Sequence, residues 1–298
     1  MYFLNINKPK NMSSFDVIKE LRKRLKIKQI GHSGTLDPLA SGVMQIAVGK
    51  ATKLLDYLDS DKEYVADVVF GYVTDTFDEE GEKKFIKNPN FSKLQLKEVL
   101  NSFLGITTQI PPKYSAIKKN GKKLCDLARD NKEINIEDFA REIEIYSIDL
   151  LEFGENKAKI KVFCKKGTYI RSLVNDMGLK LGCGAYMSDL IRTKAGNFLI
   201  ENSNSLDNKL NEINPIEALN LPTFELNEAQ LERIKNGNFI EISKKNDSEI
   251  ILLTKNNKLV SIANIQDNLI KPKKFFGVDE WIHFLKLFLS VQFLRLGF

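Results

Sequence analysis

Asp37 is the side chain in this sequence best placed to do chemistry. It lies in Gly31-His32-Ser33-Gly34-Thr35-Leu36-Asp37-Pro38-Leu39-Ala40-Ser41-Gly42-Val43-Met44, a stretch dense in glycine and small hydroxyl residues. Glycine lets a backbone take positive φ or come close to a ligand. Pro38 fixes its own φ and drives the preceding Asp37 towards an extended conformation. The spacing therefore predicts a carboxylate presented on a rigid, tightly folded loop, as general acid–base or nucleophilic chemistry requires. The apolar run from Val43 to Val48, closed by Gly49, reads as a buried strand behind that loop. Asp-Pro is also an ordinary turn initiator, so composition alone leaves the loop as either a functional element or a plain turn. It carries neither Gly-x-x-x-x-Gly-Lys-[Ser/Thr] nor Gly-x-Gly-x-x-Gly, which removes the known phosphate-cradling motifs.

Other residues are candidates by type. Lys62-Glu63-Tyr64 opens a run rich in β-branched residues that reads as a strand to Gly71; taken alone, Tyr64 is a core tyrosine. Lys166-Gly167-Thr168-Tyr169-Ile170-Arg171-Ser172-Leu173 leads from a strand into a helix, and by itself Arg171 is a charge on a helix surface. Lys113, Lys118, Lys119, Lys122 and Lys123 place five lysines in eleven residues around Asn120-Gly121. Such a loop is either merely solvated or grips a phosphate backbone, giving affinity and salt dependence rather than sequence choice. His32 and His283 are the only histidines, too few for a His-based metal site. Cys125, Cys164 and Cys183 lie far apart, without a Cys-x-x-Cys pair, which argues against a disulfide frame or zinc site and fits a reducing cytosol. An aspartate-based hydrolase would need a second carboxylate, and the sequence offers Asp37 no convincing mate.

Several of these blocks carry a resemblance. GHSGTLDPLASGVMQIAVGKATKL is similar to the signature of the TruB family of tRNA pseudouridine synthases, with Ser33 where the family more often has threonine. NKPKNMSSFDVIKEL, Lys62-Glu63-Tyr64, the acidic Thr74–Asp78 loop, PPKYSAIKKNGKKL and KGTYIRSL resemble further family blocks, together spanning about residues 5 to 200. The resemblance implies isomerisation of uridine to pseudouridine at position 55 in the T-arm of tRNA. It makes Asp37 the catalytic aspartate, Tyr64 the ring that stacks on the target base and Arg171 the partner of the carboxylate. Tyr169 and Leu190 become pocket residues. His32 either helps hold the RNA open or simply satisfies its own loop. Lys10, Lys113, Lys118, Lys119, Lys122 and Lys123 fall to the RNA backbone.

The implied reaction breaks the C1′–N1 bond, turns the uracil and joins C5 to C1′. Nothing is added or oxidised, so neither cofactor nor metal is expected. Asp37 has three routes open to it: addition to the base, attack on C1′, or removal of the C2′ proton. Each needs a charged carboxylate in a dry pocket, which a nearby guanidinium favours. The uridine sits within folded RNA and must be turned out of its stack first. A non-catalytic RNA-binding protein would use the same basic surfaces, but would not need a carboxylate facing phosphates.

The 298 residues are 43% hydrophobic and 28% charged, with a net charge of +6. That is the balance of a globular chain whose clustered positive residues favour an anionic partner. The expected fold is α/β (α+β): by the resemblance, a central mixed, largely antiparallel sheet flanked by helices, with a small β-rich C-terminal PUA-like domain. Residues 1–215 form the expected catalytic domain, with an RNA-gripping insertion at about 106–140; residues 216–298 form the small domain and an apolar tail at 284–298. Expected elements include a helix capped by Ser13 burying Val17, Ile18, Leu21 and Leu25, a helix from Ser92 to Leu104, and a hairpin joining Ile143–Leu151 to Ala158–Cys164. Further on, a helix ends near Gly182 and a hairpin turns at Lys255–Lys258. No apolar run reaches the roughly 20 residues of a membrane span, and the opening residues lack a signal core. The expectation is a cytoplasmic monomer that acts on tRNA with no obligatory protein partner and no membrane.

Overall fold

The structure, a computed structural model, describes residues 1–113, 115, 117–119, 122–123, 135–242 and 249–277. The apolar stretch 284–298, Cys125 and His283 lie outside them. The chain divides into two compact units, one covering Phe3–Glu212 and one built from Ile213 onward together with Met1–Tyr2.

The larger unit is built on a nine-stranded sheet. Its strands are β1 (Tyr2–Lys8), β2 (Ile30–His32), β3 (Ser41–Val48), β4 (Lys62–Phe70), β5 (Gly105–Gln109), β6 (Arg141–Phe153), β7 (Lys157–Cys164), β8 (Ala185–Ala195) and β9 (Phe198–Leu199). The order is β1-β3-β8-β4-β7-β6-β5, with β2 also on β3 and β9 also on β8. β8 runs parallel to β3 and antiparallel to β4, and the β4–β7, β7–β6 and β6–β5 pairs are antiparallel. The sheet is therefore mixed and largely antiparallel, as expected. The sequence pattern does not disclose β8, an interior strand paired with both β3 and β4. Register shifts at Met187/Asp189 and Arg192/Lys194 break the two-residue alternation by which a strand is read.

Among the described residues, the α-helices that accompany the sheet are α1 (Ser14–Leu25), α2 (Lys93–Asn101) and α3 (Ile170–Lys180). Ser13 caps α1, its Oγ accepting from the Asp16 N–H at 3.1 Å and donating to the Asp16 carboxylate at 2.5 Å. Val17, Ile18 and Leu21 are buried as expected, but Leu25 is only half-buried and Ser14 takes a buried place instead. Ser92 and Gln95 form a full capping box on α2. That helix stops at Asn101 rather than Leu104, because Ser102 folds its hydroxyl onto the Val99 carbonyl at 2.7 Å and Gly105 already begins β5.

Gly42 shows why a glycine follows the Asp37 loop. It pairs with Arg192 where β3 and β8 run parallel, at φ +108°, and an added Cβ would lie 2.2 Å from the Arg192 carbonyl oxygen. No rotamer relieves an overlap with backbone. We expect Gly42→Ala to cost about 3 kcal/mol or more, the upper range for overpacking compounded by an unfavourable φ. Chemical denaturation reads this directly; a loss under about 1 kcal/mol would mean the two strands separate easily.

The smaller unit contains α4 (Pro215–Leu219), β10 (Thr223–Glu225), α5 (Glu228–Lys235), β11 (Ile240–Glu241), β12 (Ile250–Lys255), β13 (Lys258–Gln266) and β14 (Leu269–Phe275). Its five strands are ordered β10-β12-β13-β14-β11. Leu231, Ile234, Ile251, Leu253, Val260 and Ile270 form its core. The β12–β13 turn places Asn256 and Asn257 at φ +50° and +58°, the left-handed pair that a two-residue hairpin needs and asparagine tolerates.

Candidate active site

The loop bearing Asp37 is held from two sides. Lys8, fully buried at the end of β1, donates to the carbonyls of Pro9 (2.9 Å), Met12 (2.6 Å) and Pro38 (3.3 Å). The Asn11 N–H also reaches the Pro38 carbonyl, at 2.8 Å. The Ser14 hydroxyl donates to the Leu36 carbonyl and accepts from the Leu36 N–H, both at 2.8 Å. On the other side Arg192, buried in β8, donates from Nε to Val43 (2.6 Å) and from Nη2 to Gly34 (3.1 Å). The carbonyls of a tight loop cannot pair with one another, and these side chains satisfy them. Desolvation brings the Lys8 ammonium down to about 8, against the pull of the Asp37 carboxylate.

Arg171 meets this loop from α3. A cation in the first turn of a helix opposes the helix dipole, so carboxylates must hold it there. Its Nη2 lies 3.1 Å from Asp37 Oδ2 and its Nη1 lies 3.0 Å from Asp78 Oδ2. Nη1 also donates to the Thr76 carbonyl at 3.2 Å. Asp78 is 1% exposed and its other oxygen accepts from the Thr76 hydroxyl (2.6 Å) and the Glu80 N–H (3.1 Å). Asp37, by contrast, is 37% exposed. The guanidinium is thus anchored on a buried carboxylate and presents its other nitrogen to an accessible one. The helix start is fixed by Gln109 on β5, whose amide accepts from the Tyr169 N–H at 2.8 Å and donates to the Tyr169 carbonyl at 3.0 Å.

A cleft of about 440 Å³ opens beside this pair, lined by Asp37, Tyr64, Tyr169, Arg171 and Leu190 among others. A single pyrimidine fits such a volume. Asp37 is the only acidic residue among the described lining residues, against Lys62, Arg141, Lys166, Arg171 and Arg192. That balance suits an anionic ligand around one carboxylate. Tyr64 is half-buried, and burial raises its phenol while Arg192 opposes the shift. The Arg141 guanidinium lies 5.3 Å from the centre of the Tyr169 ring. His32 does not line the cleft; its buried Nδ1 has no hydrogen-bond partner among the described residues, and burial, then Arg192, keeps its imidazole below the usual range. Lys10 pairs with Asp189 at 2.6 Å, next to Leu190, and Lys113 is exposed. Lys118–Lys119 and Lys122–Lys123 pair as a two-stranded antiparallel ribbon.

Sequence reasoning did not single out Asp78, Gln109, Lys8 or Arg192. Within the acidic Thr74–Asp78 loop, nothing local tells Asp78 from Asp75. Lys8 and Arg192 look like surface charges until the strands bury them.

Lys62 gives a pH test. It is buried in the cleft wall, donates to Gln45 Oε1 at 3.3 Å, and desolvation followed by Arg192 brings it down to about 8. A lysine depressed on folding costs stability while protonated. Between about pH 8 and 10.5 the native state has shed a proton that the unfolded chain keeps, so this contribution raises stability as pH rises. We expect Lys62→Met to gain less stability than the wild type between about pH 8 and 9, measured by thermal unfolding. Parallel curves would show that the ammonium is not desolvated.

Comparisons with known proteins agree with this architecture. Residues 22–170 match TruB_N, described as "TruB family pseudouridylate synthase (N terminal domain)", and residues 171–217 match TruB_C_2, described as "tRNA pseudouridylate synthase B C-terminal domain". A Mycoplasma mobile protein described as "tRNA pseudouridine synthase B" is 42% identical over 278 residues, covering 92% of this chain and 94% of its own. A Fusobacterium nucleatum protein of the same description is 43% identical over 287 residues, covering 91% and 98%. The fold is shared with Cbf5 in the crystal structure of a Cbf5-Nop10-Gar1 complex, at TM-score 0.69 and 23% identity over 94% of this chain and 86% of that one. A mixed sheet carrying a basic cleft around one carboxylate is thus found where the sequence matches RNA-modifying isomerases. The chain belongs to the TruB family of tRNA pseudouridine synthases, and is accordingly an isomerase that converts uridine to pseudouridine.

Proposed function

We propose that this chain isomerises uridine 55 in the T-arm of tRNA, with Asp37 as the catalytic carboxylate. The observation that carries the reading is the Arg171 fork, which joins accessible Asp37 to buried Asp78 at the edge of a basic cleft with no other described acid. The guanidinium keeps Asp37 charged as the base displaces water, whether it adds to the base, attacks C1′ or takes the C2′ proton. The target uridine leaves its stack to enter the cleft. Tyr64 stacks on it, a contact worth about 1–3 kcal/mol for a base on an aromatic ring. Tyr169 and Leu190 bound the uracil, and His32 helps keep the RNA open. Lys10 and Lys113 meet the phosphate backbone together with the paired lysines 118–119 and 122–123. The smaller unit serves as a reduced PUA-like RNA-binding module. The chain acts as a monomer, in the cytoplasm, without a protein partner.

A T-arm stem-loop alone should be modified, and a tRNA transcript lacking that arm should not. Mapping pseudouridine in both tests the substrate; modification confined to another arm would overturn the assignment. Neutralising Lys118, Lys119, Lys122 and Lys123 together should flatten the slope of log affinity against log salt by about 3, at roughly 0.7–0.9 for each phosphate left without its lysine. An unchanged slope would remove the ribbon from the interface.

A further inference from the structure

Ser115 stands out among the cleft residues. It is 3% exposed, yet its Oγ has no hydrogen-bond partner among the described residues, and it lines the same cleft as Asp37 and Tyr64. A buried hydroxyl without a partner forfeits its bonds to water, so native structures rarely keep one without use. We propose that Ser115 is a substrate-binding residue whose hydroxyl donates to a carbonyl oxygen of the target uracil, an inference that rests on the reading of Asp37 and its cleft given above.

Depth in the cleft favours the base over the sugar. A nucleotide still joined to its strand enters ring first, leaving ribose and phosphates near the mouth. In this reading the glycosidic bond stops at Asp37, whose side chain is 37% exposed, and the ring's polar edge arrives at Ser115, a buried residue of the same cleft. Uracil carries two carbonyls and one N–H there, and a hydroxyl can donate to either carbonyl. Three charged side chains of the wall are already engaged: Arg192 by loop carbonyls, Lys62 by Gln45 and Arg171 by two carboxylates. Ser115, buried without a described partner, is available to replace the water that the base loses.

Ser115→Ala separates this from a structural role. Removing a hydroxyl that has no partner should leave the melting temperature unchanged or slightly higher, while kcat/KM for pseudouridine formation falls about 5- to 10-fold. Targets carrying 2-thiouridine or 4-thiouridine identify the atom, since a thiocarbonyl accepts poorly. For the carbonyl contacted, sulfur should slow the wild type by a similar factor and slow the alanine variant no further. An alanine variant as fast as the wild type overturns the proposal. So does a melting temperature that falls together with activity, or a sulfur effect that adds fully to Ser115→Ala at both carbonyls. A wild type that forms no pseudouridine at all removes the reading on which the contact rests.

Discussion

Asp37→Asn is expected to bind tRNA within about threefold of the wild type and to lose at least about 10⁴-fold in turnover. Each chemical route open to Asp37 needs an anionic oxygen as base or nucleophile, and losing such a group costs factors of that size or greater. Asparagine keeps the shape and still accepts from Arg171 Nη2, now 3.1 Å from the carboxylate. The loop itself should hold, because Lys8, Asn11, Ser14 and Arg192 bind its backbone rather than the Asp37 side chain. In the proposed reading affinity comes from contacts along the phosphate backbone, to which one neutralised carboxylate adds little. Filter binding and single-turnover product mapping on the same preparations separate the two effects. Residual turnover within about 100-fold of the wild type would take Asp37 out of the chemistry.

Arg171→Met should damage both folding and catalysis. The substitution strips Asp78, which is 1% exposed, of its counter-charge. Breaking a buried pair from one side typically costs about 3–5 kcal/mol. It also removes the guanidinium from Asp37, which should lower kcat by roughly 10²–10³-fold. The double variant Arg171→Met/Asp78→Asn separates these losses. Its new carboxamide oxygen can still accept from the Thr76 hydroxyl and the Glu80 N–H, the donors that Asp78 now uses, and that site no longer buries an unpaired charge. At least half of the lost stability should return while activity stays low. If the double variant is as unstable as the single one, Asp78 is not what makes Arg171 costly to remove; if activity returns with stability, Arg171 acts only through the fold.

How much of this is legible in the sequence depends on the range of the interaction. Asp37 can be found because its constraints are local: a glycine-rich loop, a following proline and a buried strand directly behind it. Ser13 and Ser92 can be read as caps for the same reason, since a cap and its partner lie three residues apart. Arg171 is reached by resemblance alone, because its partners stand 134 and 93 positions away in the chain. Asp78 stays hidden among several acids of one loop until its burial separates it from them. Arg192 is invisible for a further reason: the strand that buries it shifts register twice against its neighbour, and its pattern does not announce a strand. Sequence periodicity reports which side chains share a face; it says nothing about which distant carboxylate a guanidinium will meet.

The most direct test of a uridine brought out of its RNA to a single charged carboxylate is a single-turnover reaction on a T-arm stem-loop carrying 2-aminopurine beside the target. Fluorescence reports unstacking while quenched samples report pseudouridine. The expected result is a fluorescence rise that precedes product with the wild type and persists, without product, with Asp37→Asn. Pseudouridine formed by the asparagine variant, or formed by the wild type with no change in fluorescence, would contradict it.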